Sequence, residues 1–182
     1  MRTLVSYDGL LRQGECDKLR NEDVPDNDHQ CALLLGVAAR GERTKTGVRQ
    51  GVVLRTDFAV QALRHHIGGL QPRDHVFRST TASSFRRDWK ALTTALGLPP
   101  RPPHALRHAG AAELVRSGAT MGDVKLRGRW RSDACVRRYC KTHDLIAYDA
   151  ALDPDLRLSA RAFLADPIGI LRLAAPNVFT KN

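Results

Sequence analysis

Four side chains in the second half of this sequence are of the types that handle phosphate esters. His104 and Arg107 stand three apart in His104-Ala105-Leu106-Arg107-His108; Trp130 follows Arg107 by twenty-three positions, and Tyr139 follows Trp130 by nine. A planar guanidinium can grip two phosphate oxygens at once, and a phenol hydroxyl can attack phosphorus. Imidazole and indole add a proton carrier and an N–H donor. Each residue alone has a plainer reading: Tyr139 as a half-buried helix aromatic, Trp130 as core, His108 as an ordinary helix histidine. The combination is what points to chemistry.

The elements that must hold these residues are mostly helical. His104 and Arg107 open a segment that follows Pro102-Pro103 and runs to about Arg116, where Ser117-Gly118 ends it. Three apart on a helix they share a face, and the helix amino terminus adds a field that favours an anion. Met121 to Arg127 forms a short helix, and Ser132-Asp133 caps another that carries Tyr139. Upstream, Asp57 opens a helix from Phe58 to Ile67, closed by Gly68-Gly69. Thr81 to Leu96 sets Phe85, Trp89, Leu92 and Leu96 at helical spacing.

The amino-terminal segment is expected to be a helix. Leu10, Leu11 and Leu19 give it a partial apolar face, and Asn21-Glu22-Asp23-Val24-Pro25 stops it before a loop to His29. Three short segments follow: Cys31 to Ala38, Arg43 to Thr46, and Gln50 to Leu54, the last two split by Gly47. They are expected to form three antiparallel strands. The tail carries an amphipathic stretch from Asp155 to Leu164, then Pro167 and a further apolar turn. No repeat or low-complexity linker interrupts the sequence. The expectation is one domain over residues 1–182, mainly α with a small three-stranded antiparallel β-sheet.

Composition narrows the partner. Lys plus Arg number 29 against 19 Asp plus Glu, a net charge of +10 with pI near 10.1. That balance favours a polyanion, either nucleic acid or an anionic surface. Lysine occurs only at 18, 45, 90, 125, 141 and 181, so arginine dominates and bidentate phosphate contacts are favoured over point charges. The longest apolar run, Cys31 to Ala39, is far shorter than the roughly 20 residues of a spanning helix. The start of the sequence lacks the charged-then-apolar order of a signal peptide. Cys16, Cys31, Cys135 and Cys140 show no CxxC spacing, so neither a zinc site nor a disulfide framework is expected, and reduced cysteines in an intracellular protein fit better. His65-His66 has no partner at metal spacing and reads as surface.

Taken with the first half of the sequence, these residues resemble the catalytic domain of the tyrosine recombinases, the phage-integrase family that includes Cre. The resemblance runs from the amino terminus to Tyr139. Gly9-Leu10-Leu11-Arg12-Gln13-Gly14-Glu15, continued by Leu19 and Asp23-Val24, is similar to the family's first motif, an arginine followed three residues on by a glutamate. Without that resemblance, Arg12 and Glu15 would be a surface ion pair worth less than about 1 kcal/mol, and Lys45 an ordinary exposed lysine. Lys45 falls in the strand turn where the family keeps its lysine. His104 to His108 resembles the His-x-Leu-Arg-His form of the second motif, and Trp130 stands where most integrases have His and Cre-like members have Trp. Gly128-Arg129-Trp130-Arg131-Ser132 is similar to eukaryotic Crypton-type elements.

The resemblance implies a division of labour. Arg12 and Arg107 bind the non-bridging oxygens of the scissile phosphate, and His104 assists proton movement at the nucleophile Tyr139. Trp130 donates its indole N–H and packs the site, Lys45 protonates the leaving 5′-oxygen, and Glu15 orients Arg12. His108 supports this set. The implied activity is site-specific DNA recombination or integration on double-stranded DNA through a 3′-phosphotyrosyl link, with neither metal nor nucleotide cofactor, by a tetramer.

Arg12 comes eleven residues after Met1, so the family's amino-terminal clamp domain is expected to be absent and, where needed, supplied by a separate polypeptide. The tail from Thr142 onward is expected to dock on its own domain or on a neighbour. Two other classes stay open: a DNA-binding module derived from a recombinase, and a type IB topoisomerase. The compartment implied is the nucleus in a eukaryote, or the cytoplasm and nucleoid in a prokaryote.

Overall fold

A computed structural model describes residues 1–27 and 30–174. His29, where the sequence places the end of the first loop, lies outside the described residues. The chain divides into two compact units, Met1–Leu145 and Ile146–Asn182.

The expected amino-terminal helix is two helices, α1 (Arg2–Asp8) and α2 (Gln13–Lys18). Helical hydrogen bonding stops because Leu10 takes a left-handed conformation, φ 48°, and the chain reverses there. Leu10 is fully buried, so tertiary packing holds a conformation that its own side chain disfavours. Arg2, also buried, braces the turn. It bonds the Gln13 side chain and carbonyl at 3.1 Å each and the Thr80 carbonyl at 2.9 Å, and pairs with Asp17 at 2.7 Å. Four acceptors offset the cost of burying that charge.

The sheet is a correction to the sequence reading: among the described residues it has two strands. β1 (Ala32–Leu35) pairs antiparallel with β2 (Gln50–Val53), Leu33 opposite Val52. Arg43 to Thr46, expected as a third strand, lies in a tight turn. Thr44 and Gly47 exchange main-chain hydrogen bonds at 2.8 and 3.3 Å, and the Thr44 hydroxyl reaches the Gln50 side chain at 2.8 Å. The threonines that read as strand formers spend their hydroxyls on closing this turn.

The remaining helices follow the sequence closely. They are α3 (Asp57–Ile67), α4 (Ala82–Ala95), α5 (Ala105–Arg116), α6 (Met121–Gly128) and α7 (Asp133–Tyr139). Thr56, Thr81, Thr120 and Ser132 each accept a main-chain N–H at the helix start, as capping residues do. Asp8 knits the unit together: it accepts from the Arg55 and Thr56 main-chain N–H groups at 3.0 and 3.1 Å and from Arg127 at 2.9 Å.

Two apolar clusters fill the first unit. One gathers Val5, Leu11, Leu19, Leu33, Leu35, Val52, Leu63, Val76 and Phe77 around the hairpin. The other sets Leu10, Ala111, Leu114, Val124, Trp130 and Val136 beneath α5, α6 and α7. α1 lies directly against α5: a Cβ on Gly110 would come within 2.3 Å of the Tyr7 carbonyl oxygen. Only a glycine permits so close a crossing, and it is this approach that brings the Leu10 turn over Arg107.

Beyond α7 runs α8 (Thr142–Ala151), which the sequence reading did not anticipate. In the second unit, α9 (Pro154–Ala165) begins at an Asp153 cap, and α10 (Pro167–Ala174) follows. Arg157 of α9 donates to the carbonyls of Ala150 and Leu152 at 3.0 and 3.2 Å.

Candidate active site

Tyr139 ends α7 and is half-buried, with three aromatic or imidazole rings around it. Its hydroxyl lies 2.9 Å from His104 Nε2. His108 stacks on the phenol ring with centroids 4.1 Å apart and planes 22° from parallel. Trp130 closes another side at 4.6 Å. His104 sits at the amino terminus of α5 and makes no capping bond, which leaves its imidazole for Tyr139. One turn further along the same face is His108, as the i, i+4 spacing requires.

Arg107 lies beneath these rings, only 1% exposed. Its guanidinium carbon is 4.6 Å from the Trp130 ring centroid and 5.7 Å from that of Tyr139. The two terminal nitrogens donate to the carbonyls of Leu10 and Gly128, while Nε is buried and has no hydrogen-bond partner. Burial, with Arg12 and Arg129 adding to it, pushes the Arg107 pKa down to about 9.

Arg12 precedes α2, and the pair it forms with Glu15 is not the surface ion pair its spacing alone allows. Glu15 is buried; its Oε1 accepts from the Arg12 guanidinium at 2.7 Å, and its Oε2 accepts from the Arg12 main-chain N–H at 2.7 Å. Arg12 itself stays partly exposed, its side chain at 22%. With Arg12, Glu15 and Lys18, Lys45 lines a cavity of about 260 Å³ that Leu34, Leu35 and Thr44 also line. Lys45 is exposed on the hairpin turn. The six residues singled out as catalytic therefore fall into two adjoining groups: Arg12 and Lys45 on the cavity, and His104, Arg107, Trp130 and Tyr139 around the phenol.

One residue was missed. Arg129 is buried, and its guanidinium donates to Glu15 Oε2 at 2.8 Å and to the Leu10 carbonyl at 3.1 Å. It therefore links the two groups. An arginine beside a tryptophan gives no sign of this in the sequence, because its partners lie more than a hundred residues away.

The electrostatics agree with this geometry. Burial lowers the His104 pKa, and His108, Arg107 and Arg12 lower it further, so this imidazole is neutral at pH 7 and able to accept a proton. His108 is lowered by burial, then by Lys141 and Arg107. Among the described residues no cluster of His, Cys, Asp and Glu has metal-binding spacing.

The fold is that of a tyrosine recombinase catalytic domain. The chain belongs to the phage integrase family, which it matches over residues 1–145, the span that contains all eight candidate residues. It is similar to the solved structure of XerA recombinase, at 19% identity and a TM-score of 0.60 over 91% of this chain and 56% of that one. It is also similar to the Tn1549 transposon integrase in complex with a circular intermediate DNA, at 15% identity and 0.60 over 76% and 52%. A third likeness is to XerH site-specific recombinase bound to difH substrate, at 19% and 0.60 over 80% and 44%. The chain thus spans about half the length of the solved recombinases it matches. A comparison with curated proteins found no match.

Proposed function

We propose that this chain carries out DNA strand cleavage and rejoining for site-specific recombination or integration, with Tyr139 as nucleophile. The observation that carries the reading is the 2.9 Å contact between the Tyr139 hydroxyl and His104 Nε2, in a pocket that also holds Arg107 and Trp130. In the forward step the Tyr139 oxygen bonds to phosphorus as the phosphorus–O5′ bond breaks. The phenol proton passes toward His104, and the Lys45 ammonium gives a proton to the departing 5′-oxygen. Arg12 and Arg107 balance the charge on the phosphate oxygens in the transition state. Rejoining runs the same steps backward: a 5′-hydroxyl attacks the phosphotyrosine, and the bond energy is conserved. Glu15 holds Arg12, and His108 keeps the phenol ring in plane. The partner is double-stranded DNA, with self-association into a tetramer and a clamp supplied in a separate domain.

A second reading, a DNA-binding module without strand transfer, is favoured by one feature. Both terminal nitrogens of Arg107 are committed to main-chain carbonyls, so a phosphate must displace them before that guanidinium can grip it.

Nicked duplexes randomised around the scissile phosphate separate the two readings. In such substrates the short product strand diffuses away and traps the covalent intermediate. The recombinase reading expects a denaturant-resistant protein–DNA adduct that disappears in Tyr139→Phe. DNA binding with no adduct would establish the module instead.

A further inference from the structure

Arg129 shares one acceptor with Arg12 and another with Arg107, one from each half of the site. It follows the last residue of α6 in the left-handed region, φ 56°, a conformation that glycine holds without steric cost. Its guanidinium is 5% exposed. One terminal nitrogen donates to Glu15 Oε2 at 2.8 Å and to the Leu10 carbonyl at 3.1 Å. The other donates to the carbonyls of Arg127 at 3.1 Å and Gly9 at 3.4 Å.

Each of the first two acceptors is shared with an arginine assigned to the phosphate. Glu15 Oε2 also takes the Arg12 main-chain N–H, and its Oε1 takes the Arg12 guanidinium. The Leu10 carbonyl also takes a terminal nitrogen of Arg107. Leu10 is itself left-handed at φ 48°, so two disfavoured backbone turns face each other across this one guanidinium. Strain of this kind persists only where surrounding contacts over-determine it.

The geometry points to Arg129 as a positioning residue that fixes Arg12 and Arg107 relative to each other, through Glu15 on one side and the Leu10 carbonyl on the other. The inference rests on the strand-transfer reading above. Two guanidinium groups that must meet the same phosphate need a fixed separation, and neither touches the other directly. Without Arg129, Glu15 is a buried carboxylate held by Arg12 alone and is free to turn with it, and the Leu10 turn loses one of its two arginine clamps. Misplacing groups by about 1 Å costs on the order of a hundredfold in rate.

The test uses Arg129→Gly, which relieves the left-handed backbone while removing the guanidinium, alongside Glu15→Gln, which cuts the same chain from the other side. Arginine side-chain N–H resonances are first recorded on DNA-free protein. Arg129→Gly is expected to shift and broaden the signals of both Arg12 and Arg107. Glu15→Gln is expected to move Arg12 alone, with Arg40, held by Glu22, Asp23 and Glu42, unmoved in both variants. Unchanged Arg12 and Arg107 signals overturn the proposal whatever the chain's activity.

Adduct formation on nicked duplexes is then measured at saturating DNA. The expected result is a loss of roughly a hundredfold in rate with DNA affinity retained, largely recovered when the scissile phosphate is replaced by a neutral methylphosphonate that needs less charge balance. A rate close to that of the unmodified protein, or a loss that the methylphosphonate does not relieve, also overturns it. Absence of any adduct from the unmodified protein refutes the strand-transfer reading, while the resonances still decide the positioning role.

Discussion

Gly128 and Trp130 should be coupled, and the coupling can be measured without knowing the DNA site. Gly128 ends α6, where alanine would ordinarily gain up to about 1 kcal/mol in helix propensity. A Cβ there, however, would fall 1.7 Å from Trp130 Cζ3, 2.0 Å from Cε3 and 2.4 Å from Cη2. No real contact is that short, so the indole must leave its place against Tyr139 and Arg107. Overpacking of this kind costs about 1–3 kcal/mol and outweighs the propensity gain. All three clashing atoms belong to the six-membered ring, which Trp130→His removes while keeping a five-membered ring with an N–H. Gly128→Ala is therefore expected to destabilise the native protein by about 1–3 kcal/mol and to be neutral or slightly stabilising in the Trp130→His background. Urea denaturation of the four proteins, followed by circular dichroism, gives the cycle. Additivity within about 0.5 kcal/mol would refute the reasoning, because residues that do not share space add to that degree.

Other outcomes follow from the same geometry. Arg107→Lys should lose most adduct formation, because lysine cannot reproduce the fork, and should cost about 1–3 kcal/mol by leaving the buried Gly128 carbonyl unpaired, since the Leu10 carbonyl keeps its bond from Arg129; near-normal cleavage would take Arg107 off the phosphate. His104 and His108 both titrate below their unfolded value in the folded state, so the unfolded chain binds more protons under mild acid. Their contribution to stability is present above the unfolded histidine pKa of about 6.5 and is lost as pH falls through their folded values. Urea midpoints between pH 7.5 and 5 should show that decline, with a shallower slope in His108→Gln. DNA affinity measured by anisotropy should fall steeply with salt, since phosphate contacts release counterions; a salt-independent affinity would contradict the nucleic-acid reading.

Much of the site could be read from local spacing, because its largest pieces are local. His104, Arg107 and His108 share one helix, and a capped helix places Tyr139 nine residues after Trp130. The helix starts at Thr81 and Ser132 were legible for the same reason, as each cap lies next to what it caps. What escaped the sequence is set by distant partners. Leu10 turns left-handed because packing and the Arg107 and Arg129 donors hold it, and nothing in Gly9-Leu10-Leu11 announces that. Thr44 looks like a strand residue until its hydroxyl finds Gln50. α8 went unread because its apolar residues, Leu145, Ile146, Ala147, Tyr148, Ala150 and Ala151, run all round the helix and leave no apolar stripe.

The charge arrangement gives these separate pieces a common sense. Arg12, Arg107 and Arg129 are gathered around a single buried carboxylate, Glu15, so the site holds more positive charge than its own acceptors can balance. Arg107 shows the consequence: burial and its two arginine neighbours hold its pKa near 9, well below the usual guanidinium range. An anion brought to Arg12 and the buried Nε of Arg107 would reverse that penalty, in a medium where charges interact more strongly than in water. Burial, followed by His108, Arg107 and Arg12, likewise lowers the His104 pKa. For the strand transfer proposed above, Arg12 is exposed enough to meet the phosphate directly, whereas Arg107 must first give up the Leu10 and Gly128 carbonyls before its terminal donors can act on the developing charge.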